Sequence, residues 1–96
     1  MATFISLITW TQPGEEAVKR TIDRADAFRE VAKQSGATVK DVYWTLGGYD
    51  GVLVFEARDD AAATALMLKL GSQGNVRTKT MRAFSASEMQ DIISRV

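Results

Sequence analysis

Strand-like patterns of hydrophobic and polar residues occur in four segments of this chain. Residues Phe4–Trp10 are rich in strand formers and alternate loosely, whereas the segment Val52–Ala57 opens with an unbroken apolar run. A run of that kind is typical of a strand that is covered on both faces. The segment Asp41–Leu46 also predicts a strand, and Val76–Phe84 predicts one with polar residues at alternate positions, as at a protected sheet edge.

Helical spacing predicts three helices between and after these strands. The first runs from Glu15 to about Ser35, with Pro13 suited to the first turn and Gly36 placed as a left-handed cap. The second follows Asp59, whose carboxylate can cap it, and the third begins at Ser85, which has capping-box spacing to Glu88. The apolar faces expected on the three helices are Val18, Ile22, Ala25, Phe28 and Ala32; Ala63, Leu66, Met67 and Leu70; and Met89, Ile92, Ile93 and Val96.

The order strand, helix, strand, strand, helix, strand, helix predicts an α+β fold in one domain over residues 1–96. It is the order of a ferredoxin-like βαββαβ antiparallel sheet, in which right-handed crossovers place both main helices on one face, plus a short C-terminal helix. The other sheet face then lies open, although the strands carry large apolar residues on both faces. Leaving each such side chain exposed costs about 1.5–3 kcal/mol.

A second copy of the chain is therefore the expected cover for the open face. Two such sheets packed face to face form a dimeric α/β barrel, and the apolar stripe of the C-terminal helix can brace the junction. The sequence predicts that the chain associates with itself, as a homodimer or a larger assembly.

The turn between the second and third strands carries a family resemblance. It reads Thr45-Leu46-Gly47-Gly48-Tyr49-Asp50, is preceded by a strand, helix and strand, and is followed by an apolar strand and an alanine-rich helix. This arrangement resembles the GYD domain family, named for the Gly-Tyr-Asp motif, and the likeness covers nearly the whole chain. The resemblance implies a small ferredoxin-like protein related to the dimeric α/β barrel superfamily, a family without an established biochemical activity.

Composition removes several classes of function. The 12 basic and 12 acidic side chains cancel, so the sequence lacks the charge expected of a nucleic-acid or membrane-surface binder. Cysteine and histidine are both absent, which removes disulfides, thiolate and imidazole metal sites and histidine-based catalysis. No metal and no cofactor is expected. Because no basic leader or membrane-length apolar run is present, the prediction is a cytoplasmic, unprocessed protein.

The candidate ligand-binding residues are aromatic residues and one carboxylate near the ends of predicted strands. Tyr49 and Asp50 can hold a phenol and a carboxylate beside the mouth of a barrel, or they can simply build the turn. Trp10 can form the floor of a ligand pocket, or it can be an ordinary residue of the hydrophobic core. The neighbours Tyr43 and Trp44 must face opposite sides of the sheet.

The hairpin register decides which of Tyr43 and Trp44 faces the open side. If Leu46 pairs with Gly51, Tyr43 lies across from Val54 on the open face, and a slip of one residue reverses that assignment. The sequence does not choose between these registers.

Two weaker motifs complete the candidates. Arg77, Lys79 and Arg82 can attract an anion. Because Arg77 and Lys79 alternate on the predicted edge strand while Arg82 faces the opposite way, protection of the sheet edge is the better explanation. The turn Gly71-Ser72-Gln73-Gly74 has the GxxG spacing of some nucleic-acid-binding turns, but it leads into a strand and the signal is weak.

Two functional hypotheses remain. The first is a non-enzymatic homodimer that binds a small apolar or aromatic ligand between its subunits or serves assembly alone. The alternative is a cofactor-independent oxygenase or isomerase acting on an aromatic substrate, with Tyr43, Trp44, Tyr49 and Asp50 shaping the site, which rests on fold analogy. Catalytic residues are not identified, and whether the protein is an enzyme is left open.

Overall fold

The computed structural model describes residues 1–96 and contains one four-stranded antiparallel sheet in the order β2-β3-β1-β4. The strands are β1 (Ala2–Trp10), β2 (Thr38–Trp44), β3 (Gly51–Ala57) and β4 (Val76–Ala83). The helices are α1 (Gln12–Glu16), α2 (Thr21–Gln34), α3 (Asp60–Ser72) and α4 (Ala86–Ile93). The predicted ferredoxin-like α+β fold is confirmed.

The hydrophobic core lies between one face of the sheet and the helices α2 and α3. Side chains alternate between the two faces of a strand, and β3 shows this clearly because every second residue from Gly51 to Ala57 is buried. The rings of Phe4 and Phe55 stack at 5.4 Å at the centre of this core. Only 13 of the 96 residues are buried, so the core of a single copy is thin.

The first helical segment is not the single helix that was predicted over Glu15–Ser35. The Thr11 hydroxyl accepts the Gly14 N–H at 3.2 Å, so α1 begins earlier, at Gln12. The chain bends at Ala17 (φ −103°, ψ 23°) and passes through a 3₁₀ turn before α2 starts at Thr21.

This break changes the apolar face of the segment. Phe28 and Ala32 are buried as predicted, but Val18 and Ile22 are 39% and 63% exposed. Val18 lies in the 3₁₀ turn, so the helical spacing that linked it to Phe28 is interrupted. Ile22 lies in the first turn of α2, on the same helix as Phe28, but it is exposed there. The prediction for these two residues is wrong.

The hairpin between β2 and β3 has a longer loop than predicted. Thr45 closes the loop, because its N–H donates to the Asp50 carbonyl at 3.0 Å and its hydroxyl donates to the Tyr49 carbonyl at 2.6 Å. The strand therefore ends at Trp44, and Leu46, predicted to be in the strand, is fully exposed.

Several local signals are confirmed. Gly36 has a positive φ of 79° at the end of α2, and the Asp59 carboxylate accepts the Ala62 N–H at 2.8 Å at the start of α3. Ser85 and Glu88 form the predicted capping box of α4. β4 is an edge strand, as its polar alternation indicated. None of the helices has the length and apolar character that crossing a bilayer requires.

Candidate functional site

The sheet separates the five predicted ligand-binding residues into two groups. In the hairpin, Tyr43 pairs with Val52 and Trp44 pairs with Gly51. Since Gly51 belongs to the buried face of β3, Trp44 lies on the helix side and Tyr43 on the open side. This register differs by two residues from the one considered in the sequence analysis, and a slip of two keeps each side chain on its face.

On the helix side, Trp10, Trp44 and Asp50 border one cavity of about 80 Å³. The cavity lies beyond the hydrophobic core, where the end of β1 and the start of β3 meet α2 and the turn after α3. Tyr43 also borders it, although its cross-strand partner places its side chain on the open face. This cavity belongs to a single chain and does not lie on the open face where a second copy was expected.

Hydrogen bonds fix the two polar groups that the sequence singled out here. The Asp50 carboxylate accepts the Trp10 backbone N–H at 2.9 Å through Oδ2, and the Asp50 N–H donates to the Ile8 carbonyl at 2.8 Å. The Trp44 indole Nε1–H donates to the Thr21 hydroxyl at 2.9 Å. Asp50 thus ties the hairpin loop to β1, and Trp44 ties β2 to the start of α2.

Sequence reasoning missed the polar residues of the opposite wall. They are Thr21, Arg24, Gln73 and Asn75. The GxxG turn at the end of α3 is the one available signal, because Gln73 lies inside it, but GxxG spacing points to nucleic-acid binding and not to a cavity wall. Nothing in the spacing of Arg24 distinguishes it from the other charged residues of α2.

Gly14 explains how this wall is held together. It is buried, and a Cβ placed on it would lie 2.0 Å from the Asn75 carbonyl oxygen. The same oxygen accepts the Thr11 N–H at 3.1 Å. The backbone of α1 therefore packs directly on the chain leading into β4, which only glycine permits.

The open face of the sheet carries an apolar stripe with charged residues on either side. The stripe consists of Ile5, Leu7, Val52, Val54 and Met81. Its acidic side is formed by Asp41, opposite Val54, and by Glu56, which pairs with Lys40 at 3.6 Å. Its basic side is formed on β4 by Arg77 and Lys79. Four of the stripe residues are half-buried in the single copy, and Met81 is 47% exposed.

Tyr49 belongs to this open side. The Lys79 ammonium lies 5.9 Å from the centre of the Tyr49 ring, at a distance where a cation–π contact is weakly favourable. Because Asp50 is bound to β1 beside the helix-side cavity, the two motif residues do not converge on one site.

The helix α4 is a second uncovered apolar surface. It packs on no other helix or strand of its own chain to any appreciable extent. Its stripe is correspondingly exposed, with Met89 at 45% and Ile93 at 59%, and Phe84 just before it at 51%. The N-terminus of the helix is nevertheless well capped, and its first turn is linked to β4 through the ion pair of Arg82 with Glu88 at 3.5 Å.

Arg82 lies on the helix side of β4, away from Arg77 and Lys79. Its guanidinium lies 4.5 Å from the centre of the Phe84 ring and 5.6 Å from that of Phe4. The residue also borders an open groove of about 390 Å³ between α3 and β4, whose floor includes Phe4 and Met67. None of the predicted ligand-binding residues lies there.

The pKa of Glu88 is lowered by the capping box. The main cause is the backbone hydrogen bond from the Ser85 N–H, and the Ser85 hydroxyl and the Arg82 guanidinium add to it. No group of three or more acidic residues is arranged to hold a metal ion.

The sheet, its single layer of helices and its open face define a ferredoxin-like domain of the dimeric α/β barrel type. The family model of the GYD domain matches residues 4–93, and the chain belongs to the GYD domain family. The family indicated by the Gly48-Tyr49-Asp50 motif is thereby confirmed.

A relative from Thermus thermophilus is similar along its whole length. It is 37% identical over 97 residues, which cover 100% of this chain and 99% of that protein, and it is named glutamine synthetase and cystathionine beta-lyase binding protein. Among solved structures, TTHA0845 from Thermus thermophilus is 26% identical with a TM-score of 0.58, over 90% of this chain and 96% of that one.

The solved structure of MtbAldR shares the fold alone. It has a TM-score of 0.69 at 16% identity, and the match covers 88% of this chain. The chain spans about half of that protein, 53% of its length.

Proposed function

We propose that this protein is a non-enzymatic binding and assembly domain that works as a homodimer, with the open faces of two sheets packed together. The observation that carries the proposal is the apolar stripe on the open face. Burying such a side chain completely contributes about 1.5–3 kcal/mol. Four of the five stripe residues are already half-buried in a single copy, so a second copy gains only part of that amount at each of them and the largest share at Met81.

The charges beside the stripe favour a second copy as the occupant. A two-fold axis that lies between the sheets and runs parallel to the strands places β2 of one copy over β4 of the other. Asp41 of one copy then lies at the level of Met81 on β4 of the other copy, two residues or about 7 Å along the strand from Lys79, and this contact occurs twice. The surface is in this sense complementary to itself.

The unpartnered helix α4 supports the same arrangement. It follows β4 directly, and its apolar stripe is left exposed by its own chain. We propose that α4 packs on the second copy at the junction of the two sheets. This contact would cover Met89 and Ile93, which a single copy leaves exposed.

The enzymatic alternative needs four residues around one substrate. The sheet instead places Trp44 and Asp50 beside the helix-side cavity, with Tyr43 and Tyr49 on the open side. The open face is also lined by aliphatic side chains, which suit a dry contact between copies better than a polar reaction site. These observations favour assembly over catalysis.

Protein partners are the second part of the proposal. The Thermus relative is named for binding two enzymes, and the likeness extends over both complete chains. We propose that this chain likewise binds another protein as a homodimer and that it does so in the cytoplasm, a location that its cysteine-free composition fits.

A charge exchange across the proposed interface tests the dimer. In Asp41→Lys and in Lys79→Asp, both symmetry-related contacts become repulsive. At roughly 0.5 kcal/mol for each attraction lost and each repulsion gained, the dimer weakens by about 2 kcal/mol, or about thirtyfold in Kd. A mixture of the two variants restores both attractions, because lysine then faces aspartate in each contact.

Native mass spectrometry at low ionic strength distinguishes the species. We expect each variant alone to be largely monomeric near the wild-type Kd and the mixture to form a heterodimer of the combined mass. Glu30→Lys, on the exposed surface of α2, is the matched control and should dimerise like the wild type. Variants that dimerise normally, or a mixture that stays monomeric, would contradict the proposed interface.

A further inference from the structure

We propose that the helix-side cavity binds a small, neutral, planar aromatic molecule that carries an N–H donor. This site goes beyond the proposed dimer, because it lies on the opposite side of the sheet and is built from one chain. Binding there requires neither a second copy nor a protein partner.

The walls of the cavity favour an aromatic ligand. Both tryptophans of the chain border it, and Phe28 adds a third ring. Aromatic rings prefer offset-stacked or edge-to-face contacts with one another, and aliphatic side chains cannot make these contacts. The placement of Trp10 and Trp44 at neighbouring strand ends thus gives a flat ligand ring partners on more than one side.

The size of the cavity limits the ligand to one or two rings. Closed apolar cavities of roughly 150 Å³ take up a benzene-sized molecule, and this one holds about 80 Å³ and is open at its mouth. A single ring therefore enters partly, and the remainder of the molecule lies in the open mouth. Larger cofactors, which occupy pockets of roughly 300–1,000 Å³, do not fit.

Asp50 supplies the specific polar contact. Its Oδ2 accepts the Trp10 N–H at 2.9 Å, which fixes the carboxylate at the cavity wall, while Oδ1 accepts no hydrogen bond from the chain. Oδ1 is open to solvent, since no buried side-chain oxygen lacks a partner, and an N–H donor on the ligand would take the place of water there. Arg24 borders the same cavity, so one positive and one negative side chain balance there and favour a neutral ligand over an ion.

Indole and benzofuran are the matched probes, because they share shape and differ in the N–H donor. The two tryptophans give the only two indole N–H signals in a ¹H–¹⁵N spectrum, and both report on the cavity. We expect saturable shifts of both signals with indole, and binding of benzofuran about tenfold weaker for want of the hydrogen bond to the carboxylate.

Two variants test the assignment. Asp50→Asn keeps an oxygen for the Trp10 N–H but presents an NH₂ to the ligand, so the preference for indole over benzofuran should disappear. Ala25→Leu fills the cavity from α2 and should abolish the shifts, whereas Ala27→Leu, exposed on the same helix, should leave them unchanged.

Unshifted tryptophan signals, equal binding of both probes to the wild type, or full binding to a folded Ala25→Leu variant would each overturn the proposal. The monomeric Asp41→Lys variant should bind indole as the wild type does. Indole binding by this variant distinguishes loss of the dimer from loss of the ligand site.

Discussion

Gly14→Ala is a substitution whose loss of stability can be worked out from one close contact between two backbone segments. The added Cβ would lie 2.0 Å from the Asn75 carbonyl oxygen, so the two backbone segments must separate by about 1 Å to reach even a tight contact. Overpacking of this kind costs about 1–3 kcal/mol. The hydrogen bond from Thr11 to the same oxygen is stretched as well, at a cost of about 1 kcal/mol.

Alanine also brings a gain, because it is a better helix former than glycine by about 0.5–1 kcal/mol. The net expectation is a destabilisation of about 2 kcal/mol. For a domain of this size that lowers Tm by roughly 8–16 °C. Thermal unfolding followed by circular dichroism at fixed protein concentration measures the shift.

Gly71→Ala provides a control of opposite sign. Gly71 lies in α3, and a Cβ there would meet nothing within 4 Å. Without a clash, only the higher helix propensity of alanine changes the stability, and we expect Tm to stay equal or rise by a few degrees. A Gly14→Ala protein as stable as the wild type would refute the close packing of α1 on the chain before β4.

Further predictions concern individual hydrogen bonds. Asp50→Ala leaves a part-buried N–H of β1 without its acceptor and should lower the free energy of unfolding in urea by about 1–3 kcal/mol, whereas Asp50→Asn should cost less. Ser6 is fully buried, and its hydroxyl is hydrogen-bonded to the Thr80 hydroxyl at 2.9 Å. Thr80→Val alone should lower the free energy of unfolding in urea, because the buried Ser6 hydroxyl loses its partner, and adding Ser6→Ala should recover part of that loss. The hydrogen bond from the Ser85 N–H lowers the pKa of Glu88 below its ordinary value of 4.5. The ionised Glu88 carboxylate therefore stabilises α4 fully above pH 4.5, and this stabilisation is lost as the pH falls through the lower pKa of the folded state. Amide NMR signals of α4 should report fraying on acidification, and Glu88→Gln should remove that dependence; signals of α4 that do not move at low pH would contradict the capping box.

The element order and sheet topology were predictable because the hydrophobic patterns of the strands and helices agree with one another. Gly36, Asp59 and Ser85 mark helix ends through local backbone chemistry, and all three act as predicted. The division of the first helix was not predictable from periodicity. The helix breaks at Ala17, and α1 before the break packs on Asn75, a residue far away in the chain.

The sequence singled out some of the residues that border the helix-side cavity, but neither its polar wall nor its geometry. Trp10, Trp44 and Asp50 border one cavity, yet the undecided hairpin register left open which face of the sheet Trp44 occupies. The hydrogen bonds of Thr45 set that register, and they appear only once the loop is folded. Arg24 joins the site through tertiary packing, which spacing along α2 does not reveal.

Sedimentation velocity across nanomolar to micromolar concentrations tests the central claim, that the open sheet face is covered by a second copy. We expect a reversible transition to a species of twice the chain mass, complete in the micromolar range. A species of single-chain mass at every concentration, with the stripe amides of β1 and β3 exchanging as in exposed surface, would contradict it.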